Sequence, residues 1–305
     1  MILIVTQSYY ANAGFLIRFL SQMEENAFRF NIDLFDAYRF DWQADRFTIT
    51  DPLERSVKSE EITAVVIYRG LMHIDDVCEW DSRYESPEMI RSALNVISNM
   101  IARWAINHDV LKLFTPYEML YPKTHQMQIA EEFFVVPEFH IHWGFTLPSK
   151  TVVVKPLTAR SPNRSSCLYA RKVDRANLAP EYPWFTQEIA SGDFDATVVY
   201  INGRCHCFKF AAPRGDLTDW RITQGTDLNR WETWDAGSDF EEKVKRFMEK
   251  MRLKYGRLDF IIGGKEPQFL EVNPCGQFGW LENDTFTMHR EAAEAIISPS
   301  SIITQ

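Results

Sequence analysis

Apolar residues in this chain fall into two spacings, and the changes between them mark out its elements. Ile2–Thr6 is a short uninterrupted apolar run, as expected of a strand buried on both faces. Residues 12–23 then place Phe15, Leu16, Phe19, Leu20 and Met23 at helical spacing. Residues 28–34 alternate, with Phe28, Phe30 and Ile32 on one strand face. Residues 47–50 are short and extended, and 62–68 form a second buried-strand run after the charged stretch 58–61. Strand, helix and strand in this order predict a small α/β unit with a parallel core. Pro87–Asn107 reads as a long amphipathic helix, with Ser86 as N-cap and Pro87 at the first position, where a missing N–H costs nothing.

The pattern then changes. Thr115-Pro116-Tyr117 is a break, 123–133 is helical, and Val135-Val136-Pro137 begins a strand. Residues 151–156 are a β-branched run ending Lys-Pro, and 161–166 are polar and loop-like. Residues 184–189, 196–201 and Arg204–Phe210 read as strands, the last two joined by the hairpin dipeptide Asn202-Gly203. Residues 239–255 form an amphipathic helix, with Gly256 as its expected C′ glycine. Residues 258–263 and 267–272 are strands joined near Gly263-Gly264, and 291–297 form a terminal helix. The expected class is α/β (α+β), without internal repeats.

Composition narrows the class. The 305 residues are 46% hydrophobic and 25% charged, enough for a sizeable core. A net charge of −9 without any Lys/Arg run argues against nucleic acid. No apolar stretch approaches the ~20 residues of a membrane span, and the apolar start lacks the basic front of a signal peptide. Cys78, Cys167, Cys205, Cys207 and Cys275 are odd in number and scattered, so no disulfide framework is expected and a cytoplasmic location follows. Cys205-x-Cys207 and His140-x-His142 lack a spaced partner pair and read as structural.

Candidate chemistry lies mostly in the C-terminal third. Asp259, Glu271 and Asn273 are oxygen donors on two strands predicted to form a hairpin, with Glu271 and Asn273 on one face. Hard oxygen ligands suit magnesium, and carboxylates inside apolar strands are costly without a cation. The alternative is one carboxylate at a strand end and another paired with Lys or Arg. Lys155 ends Val152-Val153-Val154 on the face of Val153, and can point into a phosphate site or into water. Lys123 opens a helix, where the macrodipole disfavours it, so an anion nearby would account for it. Gln187, Glu188 and Ile189, followed by Asp193 and Asp195, can offer backbone groups to a planar base and oxygens to ribose hydroxyls, or can be an ordinary strand and loop. Arg221, in Asp219-Trp220-Arg221, can neutralise a transferred phosphate or sit in a salt bridge. P-loop, Rossmann and Gly-x-Ser-x-Gly signatures are absent.

The order of these motifs resembles the ATP-grasp fold. The sequence Phe269-Leu-Glu-Val-Asn-Pro-Cys-Gly-Gln-Phe-Gly-Trp-Leu281 resembles, more narrowly, the microviridin-type ribosomal-peptide ligases, also called graspetide synthetases. Ile2-Leu-Ile-Val-Thr, Phe28-Arg-Phe-Asn-Ile-Asp and Val66-Ile-Tyr-Arg69 are similar to the pre-ATP-grasp domain of these enzymes. The resemblance implies a pre-ATP-grasp domain over 1–110, a central subdomain with a lid at 158–167 over 111–184, and a metal-bearing subdomain over 185–305. It implies ATP and Mg2+ as cofactors. Lys123 and Lys155 would hold phosphates, and Gln187, Glu188 and Ile189 would form the adenine hinge. Asp193 or Asp195 would take the ribose, Asp259, Glu271 and Asn273 the magnesium ions, and Arg221 the γ-phosphate and acyl group.

The implied reaction activates an Asp or Glu side chain of a ribosomal precursor peptide as an acyl phosphate and forms an ω-ester or ω-amide cross-link. The partners are then the leader and core of that precursor, the protein is a homodimer, and neither nucleic acid nor membrane is involved. Ala196 stands where an Arg is common, the lid has no glycine, and Gly70-Leu71-Met72 follows Arg69 where the family is more basic. These departures leave room for a ligase that joins a separate small amine to a peptide, or for a non-catalytic peptide- or nucleotide-binding relative.

Overall fold

The computed structural model describes residues 1–69, 85–114, 122–155, 170–211 and 231–298. Arg221 and the stretch 158–167 lie outside the described residues, as do Thr115-Pro116-Tyr117, Cys78 and Cys167.

The N-terminal strands β1 (Ile2–Thr6), β2 (Ala27–Asn31) and β6 (Ala64–Ile67) form a parallel sheet in the order β2-β1-β6. Being apolar on both faces, β1 needs cover on both. Ile2 and Ile4 pack with Leu16 and Leu20 of α1 (Ala11–Gln22) and with Ala292 and Ile296 of α5 (Thr287–Ile297). Leu3 and Val5 pack with Ile101, Trp104 and Ala105 of α2 (Pro87–Asn107). The parallel α/β unit expected from the sequence is therefore present, and Ser86 and Pro87 open α2 as expected.

Residues 28–34 are shorter as a strand than their alternation suggests. β2 stops at Asn31, and Ile32–Ala37 turns into a 3-10 helix whose Ile32 is fully buried. The antiparallel meander β3 (Arg39–Gln43), β4 (Arg46–Thr50) and β5 (Ser56–Lys58) follows, of which the sequence showed only β4.

Two antiparallel sheets make up the rest. One has the order β7-β10-β8-β9, from Phe139–His142, Trp184–Gln187, Thr151–Lys155 and Arg171–Asp174. The other has the order β13-β12-β11-β14-β15, from Trp231–Thr233, Arg204–Phe210, Phe194–Ile201, Tyr255–Ile262 and Gln268–Asn273. α4 (Ser238–Lys250) covers one face of this larger sheet with Phe240, Val244, Phe247 and Met248, packed on Val198, Leu258, Phe260 and Phe269. At one end of the opposite face, Val199, Ile201 and Tyr255 join the core of the N-terminal unit.

The helix expected over 239–255 is shorter and Gly256 is not its C′ residue. α4 ends at Lys250, Arg252 takes the left-handed turn at φ 54°, and Tyr255 and Gly256 already belong to β14. Gly256 is there for space: a Cβ would lie 2.8 Å from Val272 Cγ2 and 2.9 Å from Met248 Cε.

Helix α3 (Lys123–Ala130) joins the two antiparallel sheets. Gln126 Oε1 accepts a 3.0 Å bond from the Val272 N–H of β15. One turn from Lys123, Met127 is fully buried, its sulfur 4.0 Å from Gln187 Nε2 of β10. No described helix is long and apolar enough to cross a membrane.

Candidate active site

Alternation along β14 sends Leu258, Phe260 and Ile262 into the core under α4, and Arg257, Asp259 and Ile261 to the other face. Across the ladder, Asn273 stands opposite Arg257 and Glu271 opposite Asp259. The four polar side chains therefore form a two-by-two patch.

A β-bulge makes this possible. Asp259 pairs with Glu271, but Phe260 pairs with Phe269, so Leu270 is the extra residue. Phe269 and Val272 both face the core, while Glu271 and Asn273 face the cleft. A regular strand would put Phe269 and Glu271 on the same face.

The patch is closely bonded. Arg257 donates to Asp259 Oδ2 at 3.2 Å and to the Gln277 carbonyl at 3.2 Å, and lies 5.9 Å from the centroid of the Trp280 ring. Thr197, opposite Asp259 on β11, donates to Asp259 Oδ1 at 2.9 Å. Asn273 Nδ2 lies 3.4 Å from Glu271 Oε1, and Lys123 Nζ donates to Glu271 Oε2. The anion that accounts for Lys123 at a helix start is thus a carboxylate of the protein itself.

From the smaller sheet, Lys155 Nζ donates to Gln187 Oε1 at 2.9 Å, and its charge reaches Glu271. Burial would push the Glu271 carboxyl up, but Lys123, Lys155 and Arg257 outweigh it and hold the acid well below the usual carboxylate range. Burial likewise disfavours the Arg257 cation, and Asp259 and Glu271 more than restore it.

The structure brings Lys123, Lys155, Gln187, Asp259, Glu271 and Asn273 together in this cleft. Glu188 instead turns its carboxylate to Lys150, while its backbone N–H bonds the Glu138 carbonyl at 2.8 Å. Ile189 is exposed past the end of β10. Asp193 is exposed at the rim, with its N–H 2.8 Å from the Ile262 carbonyl. Asp195 is buried within β11, opposite Ile261. Residues 188–193 thus form the link from one sheet to the other.

The sequence reading missed Arg257, although its position two residues before Asp259 on a strand put it on the same face. It also missed Thr197, which is recognisable only once β11 is paired with β14.

Elsewhere, Cys205 and Cys207 are free thiols, and burial pushes Cys205 up to about 12. His142 is buried, and His140 lies 3.2 Å from Glu138.

Two carboxylates and an amide oxygen are an all-oxygen set that fits Mg2+, which takes its other ligands from water and phosphate. From the described residues each carboxylate oxygen here accepts one bond, which leaves it capacity for another. Among the described residues no group of three or more His, Cys, Asp or Glu side chains assembles, so a metal here depends on the amide and on its substrate.

No family model matches the sequence, and no curated protein matches it. Solved structures do match the fold. A RiPP-associated ATP-grasp ligase from Chryseobacterium gregarium, in complex with ADP and a leader and core peptide, has a TM-score of 0.78 at 19% identity, covering 97% of this chain and 96% of that one. The macrocyclase MdnC from Microcystis aeruginosa, bound with precursor peptide MdnA, has a TM-score of 0.74 at 21% identity, covering 97% and 99%. A D-alanine–D-alanine ligase from Bacillus anthracis has a TM-score of 0.55 at 10% identity, covering 97% and 95%. Along nearly its whole length, with its carboxylates and lysines gathered between two antiparallel sheets, the chain has the ATP-grasp fold.

Proposed function

We propose that the protein is an ATP-dependent ligase that activates a side-chain carboxylate of a ribosomal peptide and cross-links it to a hydroxyl or amine of the same peptide. The observation that carries this reading is the cleft itself. Two carboxylates and an amide from paired strands face two lysines and an arginine from three different elements. A site that only bound a peptide would not need this mixture of charges. Solved structures of this fold that hold a leader and core peptide, or a precursor peptide, support the peptide as substrate.

In this reading Lys123 and Lys155 bind phosphate oxygens, and Gln187 fixes Lys155 from below. Glu188, Ile189 and Asp193 or Asp195 border the nucleoside. Asp259, Glu271 and Asn273 would hold Mg2+, which when bound neutralises phosphate charge and fixes the phosphates in line. The peptide carboxylate attacks the γ-phosphorus, and the bond to ADP breaks. Arg257 faces the charge that develops there, in the role given to Arg221 from the sequence. The hydroxyl or amine then attacks the acyl carbon, loses its proton to solvent, and expels phosphate. Stretch 158–167 is assigned as the lid that keeps water from the acyl phosphate. A homodimer in the cytoplasm completes the proposal.

The test is to mix the protein with ATP, magnesium and a peptide encoded beside its gene. Phosphate release with loss of one water per link from the peptide is expected. A gain in peptide mass would instead mean ligation of a second substrate, and no phosphate release would refute the ligase reading.

A further inference from the structure

Gln277 connects the cleft with a second polar group, at the carboxyl ends of the N-terminal parallel strands. Its carbonyl accepts from Arg257, while its side-chain Nε2 donates to the hydroxyl of Tyr10. Tyr10 is the residue before α1 and is 6% exposed. Its ring meets the ring of Tyr68 edge-on at 5.5 Å. The guanidinium of Arg69 lies over its face, 5.4 Å from the centroid.

Arg69 sits two residues past β6, at φ 59°. A non-glycine residue adopts this left-handed backbone only at a cost, and such strain persists where the surroundings fix it. Among the described residues no carboxylate pairs with Arg69, in contrast to Arg257, which Asp259 holds. The frame is rigid. Arg29 donates to the carbonyls of Gln7, Ser8 and Tyr10 at 2.8, 3.0 and 3.4 Å, fixing the loop that carries Tyr10. Asn12 Nδ2 donates to the Tyr68 hydroxyl at 3.1 Å. Ligands of open parallel sheets bind at these strand ends.

One residue, Gln277, thus separates a guanidinium facing the phosphates from one that faces an aromatic ring. The phenol of Tyr10 accepts from Gln277 and keeps its own proton to donate. Burial pushes that phenol up, against the pull of Arg69 and Gln277, so it stays protonated at neutral pH.

We propose that Arg69, framed by Tyr10 and Gln277, binds the carboxylate of the acidic side chain that the enzyme activates, and so selects Asp or Glu over their amides. This rests on the ligase reading above. Arg69 takes no proton in the reaction. It pairs with the carboxylate and presents one of its oxygens toward the phosphate end of the cleft, beside Arg257.

The test uses N-acetyl-glutamate N-methylamide and its glutamine counterpart as probes, titrated by ligand-observed NMR against protein loaded with magnesium and a non-hydrolysable ATP analogue. Wild-type protein should bind the glutamate probe roughly ten-fold more tightly than the glutamine probe. Arg69→Gln should abolish that preference and Arg69→Lys should keep part of it, with the affinity for nucleotide unchanged in both. Tyr10→Phe should weaken the glutamate probe while leaving the nucleotide bound. A wild-type protein that binds nucleotide without preferring glutamate, or an Arg69→Gln protein that keeps the preference, overturns the assignment of Arg69 and leaves the ligase reading standing. Failure of wild-type protein to bind nucleotide refutes both.

Discussion

Two cations bond or approach Glu271 from other elements, and Arg257 adds a third from its own sheet. Replacing Glu271 with Gln keeps the shape and removes the charge. Phosphate release should fall below detection, and an equal rate would remove Glu271 from the site. Stability should change by only about 1–2 kcal/mol, since Lys123 and Glu271 each keep about a quarter of their side-chain exposure and water screens the loss. Arg257→Lys is the sharper test of the arginine found by geometry. A lysine keeps the charge but loses the fork that meets Asp259 and the Gln277 carbonyl together. The rate of phosphate release should drop roughly 10²-fold or more with nucleotide affinity nearly intact. A rate within about two-fold of wild type would show that Arg257 is structural. Arg257 could have been read from Arg-x-Asp on a strand. Thr197 could not, because its meeting with Asp259 depends on the pairing of β11 with β14, whose two residues lie 62 positions apart.

Among the elements, the fully apolar strands and long helices were legible because burial imposes a period. The meander β3-β4-β5 was mostly hidden because β3 and β5 are half-exposed, with only Val57 of the two strands fully buried. The bulge at Leu270 and the early end of α4 were hidden for a different reason. Both are set by packing of Phe269, Met248 and Val272 against distant partners, and local spacing does not record it. The meander offers its own test. Asp51 is buried and accepts from the N–H groups of Leu53 and Arg55 at 2.9 and 3.0 Å and from Arg55 Nε at 2.7 Å. Burial would raise its pKa, but these bonds outweigh that and lower it. Its folded-state pKa is below the unfolded one, so its stabilising effect is complete above the usual aspartate range. The effect is lost as pH falls through the folded value. Asp51→Ala should cost about 1–3 kcal/mol at pH 7 in chemical denaturation, and less at pH 3. An equal cost at both pH values would show that the carboxylate charge plays no part.

On the scale of the whole molecule, the cleft is assembled from the seams between sheets. α3 bonds β15 through Gln126 and Lys123 and touches β10 through Met127, so nucleotide held by both sheets should couple them. A non-hydrolysable ATP analogue with magnesium at about 100 times its dissociation constant should add about 2.7 kcal/mol of stability. The magnesium-dependent part of that gain should vanish in Glu271→Gln, as read from the thermal midpoint with and without the metal. An equal gain in both proteins would place the metal elsewhere.

The single extra residue at Leu270 decides which changes of length the strand can take. Removing Leu270 would leave Phe269 and Glu271 adjacent in plain alternation, the phenyl ring still on the core and the acid groups still on the opposite face, whereas removing Val272 would send Glu271 and Asn273 to opposite faces. A shortened strand that lacks Leu270 should therefore keep its two faces, and one that lacks Val272 should not.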